Sequence, residues 1–153
     1  MLAQRQVEDR MRAFPERCRA AGLKLTHQRT AIFHVLACTE RHPSPEEVYE
    51  AVLPELPSIS LATVYKVLDL FHRHGFLRKV STEQQAARYD ANLGPHHHLL
   101  CDRCGRIEDV AVPAAETLAA PDAGDFSVSH FDIIFHGVCG ACRSEPPRRA
   151  VSP

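Results

Sequence analysis

Two cysteine pairs, Cys101-x-x-Cys104 and Cys139-x-x-Cys142, constrain this chain more than any other feature of it. Two thiolates three residues apart on a tight turn grip one side of a Zn²⁺ ion. A second such knuckle completes a tetrahedron with Zn–S distances of ~2.3 Å. Gly105 follows the first pair and Gly140 lies inside the second, which eases the backbone around a metal. The opening stretch MLAQRQVEDRMR has no apolar core and no cleavage site, so a cytoplasmic setting is expected. In that setting paired cysteines point to metal rather than to disulfides. The spacing therefore predicts a closed, structural Zn(II) site on Cys101, Cys104, Cys139 and Cys142, stapling strands together with ~10 kcal/mol of binding. Cys18 and Cys38 stand alone in helical stretches and read as small buried apolar residues.

A staple at residues 101–142 leaves the front of a 153-residue chain to be explained. That length suits one ordinary domain or two small ones. With 44% hydrophobic and 24% charged residues, a disordered or collagen-like chain is excluded. No apolar run nears the ~20 residues of a membrane helix. Residues 1–80 carry 12 Lys+Arg against 9 Asp+Glu, and residues 81–153 carry 6 against 10. A mildly basic front and an acidic back suggest two modules with different partners.

The front reads as helices. Arg5 to Ala21 is helical in pattern, with a break or restart expected at Pro15 and a stop at Gly22. Thr26 can cap a second helix whose apolar face is Ile32, Val35 and Leu36. Ser44-Pro45-Glu46-Glu47 is a start signal, with Glu47 completing a capping box for a third helix that stops near Pro54. Ser60 opens a fourth, with Val64, Val67, Leu68 and Phe71 on one face and Gly75 as terminator. Phe76–Val80 and Ala87–Asp90 then form a short hairpin around STEQQ, which makes the front a winged helix-turn-helix. Asn92-Leu93-Gly94-Pro95 has linker composition. Beyond it, strands are expected at His98–Leu100 and Arg106–Val112, a helix at Ala114–Ala120, and a longer strand at Phe126–Val138 whose apolar phase shifts near His130. The polar SEPPRRAVSP reads as a disordered tail.

Two surfaces carry candidate chemistry besides the cysteines. On the fourth helix, small Ser60, Ala62 and Thr63 permit close approach to a DNA groove, and Tyr65 and Lys66 supply an aromatic contact and a donor. Lys24, His27 and Arg29 can meet phosphates. The same pattern also describes an amphipathic helix with a solvated face or a protein interface. In the run His96-His97-His98, the outer two share one side of a strand and His97 faces the other. Two same-side nitrogens serve equally as surface histidines or as half of a metal site, for which Asp90, Asp109 and His42 are further candidates. A zinc deaminase would need H-x-E ahead of P-C-x-x-C, and this chain has neither, so no enzyme is expected. A bare zinc-ribbon interaction module leaves the helical half unexplained.

Across residues 15–143 the segments GLKLTHQRTAI, HPSPEEVYEAV, ISLATVYKVLDLF, RYD, HHHLLCDRCGRIEDV and GVCGAC, in this order, resemble the ferric uptake regulator (Fur) family of bacterial metal-dependent repressors. The resemblance implies an α+β fold: a winged-helix DNA-binding domain over 1–90, a hinge at 91–95, a small α/β dimerisation domain over 96–145 stapled by the zinc site, and a tail at 146–153. It implies a homodimer reading a palindromic operator in double-stranded DNA, with no membrane association. It also implies a regulatory metal between the domains, held by His42, Asp90, His96, His98 and Asp109. Asp at both acidic positions, where the iron-responsive branch usually has Glu, resembles the peroxide-sensing (PerR) branch. The implied function is a repressor that senses peroxide through oxidation of a His-ligated Fe(II) site, with Mn(II) as the peroxide-insensitive occupant. An iron-responsive repressor is second, and manganese, nickel or zinc sensors follow. Imidazoles and carboxylates suit Fe(II) or Mn(II) better than an all-thiolate site does. Pro95 replaces a His that many members use in an additional metal site, of which His97, Glu116 and His130 would be remnants. His136 reads as an ordinary strand residue.

Overall fold

Local cap chemistry sets where the helices of the first half begin. In the computed structural model, which describes residues 4–80, 87–118, 121, 124–128 and 131–144, the chain divides into two units between Leu93 and Gly94. The first holds α1 (Gln4–Ala20), α2 (His27–Ala37), α3 (Pro45–Val52), α4 (Leu61–Arg73), β1 (Arg78–Val80) and β2 (Arg88–Asp90). Thr26, Ser44 and Ser60 each accept a bond from the amide three residues on, and Glu47 closes the capping box by accepting from the Ser44 amide at 2.7 Å. Each cap contributes ~1 kcal/mol. Gly22 and Gly75 take left-handed conformations, φ 66° and 70°, just past α1 and α4.

Pro15 does not break α1. Phe14 and Cys18, on either side of it, are both buried, so tertiary packing holds the helix through the missing N–H. Phe14 stacks on Phe33 at 4.1 Å between centroids and meets Phe71 and Phe76 edge-on at 5.6 and 5.8 Å. Ile32, Leu36, Val48, Val52, Val64, Leu68 and Tyr89 complete this core. Each large side chain so buried contributes ~2 kcal/mol. Cys18 is buried as expected, but Cys38 is exposed: it caps the C-terminus of α2, where the chain has already left the core face. β1 and β2 pair antiparallel with Arg78 opposite Asp90 and Val80 opposite Arg88. The loop expected at STEQQ and the tail at 146–153 lie outside the described residues.

The second unit is a three-stranded sheet in the order β4-β3-β5, from β3 (His97–Cys101), β4 (Ile107–Val110) and β5 (Ile134–Gly137). A 3-10 turn (Pro113–Thr117) and the short helix α5 (Gly140–Ser144) complete it. The expected helix at Ala114–Ala120 is only that turn, because a Pro-started segment this short cannot offset helix nucleation. Among the described residues of the expected long strand, only Ile134–Gly137 is strand, the stretch that finds β3 as a parallel partner, Leu99 opposite Phe135 and Cys101 opposite Gly137. β3 and β4 run antiparallel with His98 opposite Asp109.

Candidate metal centres

The parallel register of β3 and β5 carries both cysteine pairs to the same end of the sheet. Cys101 ends β3, and its carbonyl accepts the Gly105 amide at 2.8 Å to close the first knuckle, with Gly105 left-handed at φ 70°. Gly140 needs no such conformation; it opens α5, the helix that carries Cys142. The Asp102 amide donates to the Gly137 carbonyl at 2.8 Å and the Cys139 amide to Cys101 Sγ at 3.3 Å, tying the second knuckle to the first. All four sulfurs lie within 4.8 Å of one another, with Cys104 and Cys139 3.8 Å apart. Sulfurs at the corners of a tetrahedron with ~2.3 Å bonds stand ~3.8 Å apart, so the cluster fits Zn²⁺. The Cys139 amide bond holds the Cys101 thiol down to about 6. Hydrogen bonds with the Cys104 and Cys139 sulfurs push Cys142 up to about 12.

Two contacts brace the knuckles from outside. Arg103 donates to the Cys142 carbonyl, and Asp102 pairs with His136 Nδ1 at 2.9 Å. His136, expected to be an ordinary strand residue, thus joins β5 to the first knuckle. Only the register of β5 on β3 creates this pair, so no local signal announced it.

The same unit holds a second, nitrogen-and-oxygen cluster. His98 sits opposite Asp109 in the ladder, and His96 precedes β3 on the same side. His96 Nδ1 bonds the Gly94 carbonyl at 2.9 Å, which places the proton on Nδ1 and leaves the Nε2 lone pair for a ligand. His96 Nε2 and His98 Nε2 are 3.1 Å apart, and Asp109 Oδ1 is 3.9 Å from His96 Nε2. Adjacent donors on an octahedral ion with ~2.1 Å bonds stand ~3.0 Å apart, so the two imidazoles fit neighbouring positions on a divalent metal. His97 turns away. Its ring stacks on Phe131 at 5.9 Å between centroids, and its Nδ1 accepts the Ile133 amide at 3.2 Å. Of the other expected remnants of an additional site, the Glu116 side chain and His130 lie outside the described residues.

In the first unit, His42 and Asp90 are both buried and meet at 3.9 Å, His42 Nε2 to Asp90 Oδ2. His42 is left-handed at φ 50°, alone in this among the described residues other than glycine, and a strained conformation of this kind concentrates at functional positions.

On the face expected to meet DNA, Lys24, Ala62, Tyr65 and Lys66 are exposed and Thr63 is partly so. Ser60 is spent as the α4 cap, its Oγ 2.9 Å from Thr63 Oγ1. Arg29 donates to the Lys24 carbonyl, and His27 pairs with Glu55 at 2.9 Å. Tyr65 donates to Glu46 on α3 at 2.5 Å. That bond holds the Glu46 carboxyl below the usual range and raises the phenol.

Residues 20–136 match the model of the ferric uptake regulator family. The chain belongs to that family. Members of the Fur family are metal-dependent transcriptional repressors that bind DNA as dimers. The peroxide-responsive repressor PerR of Staphylococcus epidermidis is 35% identical over 129 residues, covering 83% of this chain and 86% of that protein. The fold is that of Helicobacter pylori Fur, described as having three functional metal-binding sites, with a TM-score of 0.74 at 22% identity over 96% of this chain and all of that one. Pseudomonas aeruginosa Fur, solved with manganese, matches with a TM-score of 0.68 at 26% identity over 82% of this chain and 97% of its own. The α+β fold expected from the resemblance holds. No described helix is long and apolar enough to cross a membrane.

Proposed function

We propose that this chain is a DNA-binding repressor that senses peroxide through a regulatory metal site of nitrogen and oxygen donors, kept apart from a structural Zn(II) on Cys101, Cys104, Cys139 and Cys142. The observation that carries the reading is the pair of converging Nε2 atoms of His96 and His98, 3.1 Å apart, on a strand whose far end supplies Cys101 to an all-sulfur cluster. One unit thus offers two donor sets of different hardness, one for zinc and one for Fe(II) or Mn(II). Aspartate at both acidic positions and the resemblance to peroxide-responsive repressors at 34–35% identity support peroxide over iron level as the signal.

In this reading His42 and Asp90 of the winged helix join His96, His98 and Asp109 in holding the regulatory metal, across a hinge at 91–95. Five donors from two domains are satisfied together only in one arrangement, so metal selects that arrangement from the ensemble. In a homodimer it sets two α4 helices at the spacing of successive major grooves of a palindromic operator, with Lys24, Ala62, Thr63, Tyr65 and Lys66 at the DNA. Iron, when bound, supplies the reduction of peroxide beside the ligand side chains. Hydrogen peroxide delivers one oxygen atom to a ring carbon of His42 or His96 and leaves as water. The C–H bond at that carbon is lost, a hydrogen ends on the second ring nitrogen, and the ring then carries hydrogen on both nitrogens. With no lone pair to offer, the residue ceases to be a ligand, and the two domains are released. The protein turns over no substrate and works in the cytoplasm.

A pool of random DNA duplexes offered to the zinc-loaded chain with and without Mn(II) tests the repressor reading. The expected result is enrichment of an inverted repeat with Mn(II) only. Equal enrichment without added metal overturns it.

A further inference from the structure

We infer that Arg88 is a positioning residue for the regulatory metal: its guanidinium fixes the backbone of His42 in the conformation from which the imidazole ligates. The inference rests on the proposed role of His42. It starts from a conflict in the chain. His42 precedes Pro43, and a residue before proline favours extended backbone with φ near ~−120°. Instead His42 has φ 50°. A non-glycine residue persists there only when its surroundings over-determine it.

Four hydrogen bonds within the first unit do so. One terminal nitrogen of Arg88, Nη1, carries two hydrogens; it donates to the His42 carbonyl at 3.1 Å and to Glu47 Oε2 at 2.9 Å. The same Glu47 oxygen accepts the Ser44 amide at 2.7 Å in the capping box of α3. The neighbouring amide on β2, Tyr89 N, donates to the Pro43 carbonyl at 3.1 Å. The loop 42–44 is therefore laced along one edge by Arg88 and Tyr89 and anchored at the other by Glu47. Arg88 and Asp90 are two residues apart on β2 and share a side of the strand. One strand thus delivers a carboxylate beside the His42 imidazole and a cation onto the His42 carbonyl. The half-buried guanidinium, with Glu47 as its counter-charge, is more than a surface ion pair, since it also donates to the His42 carbonyl.

The test is a double-mutant cycle on the full zinc-loaded chain, reading Mn(II) affinity from free Mn(II) by electron paramagnetic resonance. His42→Ala alone measures the ligand. Arg88→Met is expected to weaken Mn(II) about 10-fold or more, the range found when outer partners of ligands are removed. In the His42→Ala background Arg88→Met is expected to cost nothing further, because its effect passes through His42. Arg88→Lys, which keeps a charged donor, is expected to recover part of the loss. Glu47→Gln keeps an oxygen for the Ser44 amide but loses the ion pair, and is expected to weaken Mn(II) by a smaller factor. Without regulatory metal, faster amide hydrogen exchange at His42 in Arg88→Met is the second expected readout. If His42→Ala weakens Mn(II) and Arg88→Met does not, the positioning role fails while the ligand reading stands. If the two losses multiply in the double variant, Arg88 acts elsewhere and the inference fails. If His42→Ala itself changes nothing, the ligand reading fails and this inference with it.

Discussion

The two units of this chain are stabilised by different means. The first buries four phenylalanine rings, Phe14, Phe33, Phe71 and Phe76, among the aliphatic side chains of α2, α3 and α4. Among its described residues the second buries only Leu100, Ile107 and Ala115 beside Cys101 and the three histidines, and it leaves Leu99, Phe131, Phe135 and Val138 exposed. The 45 described residues of this unit, with so small an apolar core, fall in the size range where a metal or a partner subunit is needed for stability. The winged helix thus rests on the hydrophobic effect, and the smaller unit on its cysteine cluster. The core of the helical unit therefore stands apart from the cysteine cluster, whereas the smaller unit has little apolar core besides it.

Loss of a zinc-site cysteine should affect the two units most unequally. Cys104→Ser is expected to abolish stoichiometric zinc and unfold the β3–β4–β5 sheet, with loss of ~10 kcal/mol of binding free energy. The ring-shifted methyl resonances around Phe14 and Phe33 should persist in the same sample. Parallel loss of both sets of signals on the NMR spectrum contradicts the division. The converse substitution, Phe71→Ala, is expected to destabilise the first unit by ~3–5 kcal/mol in urea unfolding while zinc content stays unchanged.

The smallest effect concerns Tyr65 and Glu46, which link α4 to α3. Because the phenol O–H holds the Glu46 carboxyl below its ordinary value, the bond stabilises the fold above the carboxylate range, ~4.3, and is lost as pH falls through the depressed value. Tyr65→Phe is therefore expected to lower the melting temperature slightly at pH 7. That difference from the parent should shrink as pH falls below the ordinary carboxylate range. A difference that stays constant with pH shows that ring packing, not the hydrogen bond, is responsible.

Features with a local signature were legible in the sequence. Thr26, Ser44 with Glu47, and Ser60 start helices where their side chains predict, because a cap involves residues only three apart. The cysteine spacing announced its cluster for the same reason. Features that depend on distant partners were not legible. Pro15 stays helical because Phe14 and Cys18 are packed from elsewhere, and residues 131–133 fail to extend β5 because a strand needs a neighbour as well as an apolar pattern. The role of Arg88 leaves no trace in spacing, since its target carbonyl lies 46 residues away. The regulatory ligands came from the family resemblance, and spacing alone marked His96 and His98 only as one side of a strand.

A histidine that records peroxide at the regulatory site can be detected without knowledge of the operator. The chain is loaded anaerobically with Fe(II), exposed briefly to hydrogen peroxide, and digested for peptide mass spectrometry, with a Mn(II)-loaded sample as control. The expected result is one added oxygen on His42 or His96 in the iron sample alone. Unmodified histidines with iron still bound contradict peroxide sensing and leave an iron-responsive repressor as the better reading.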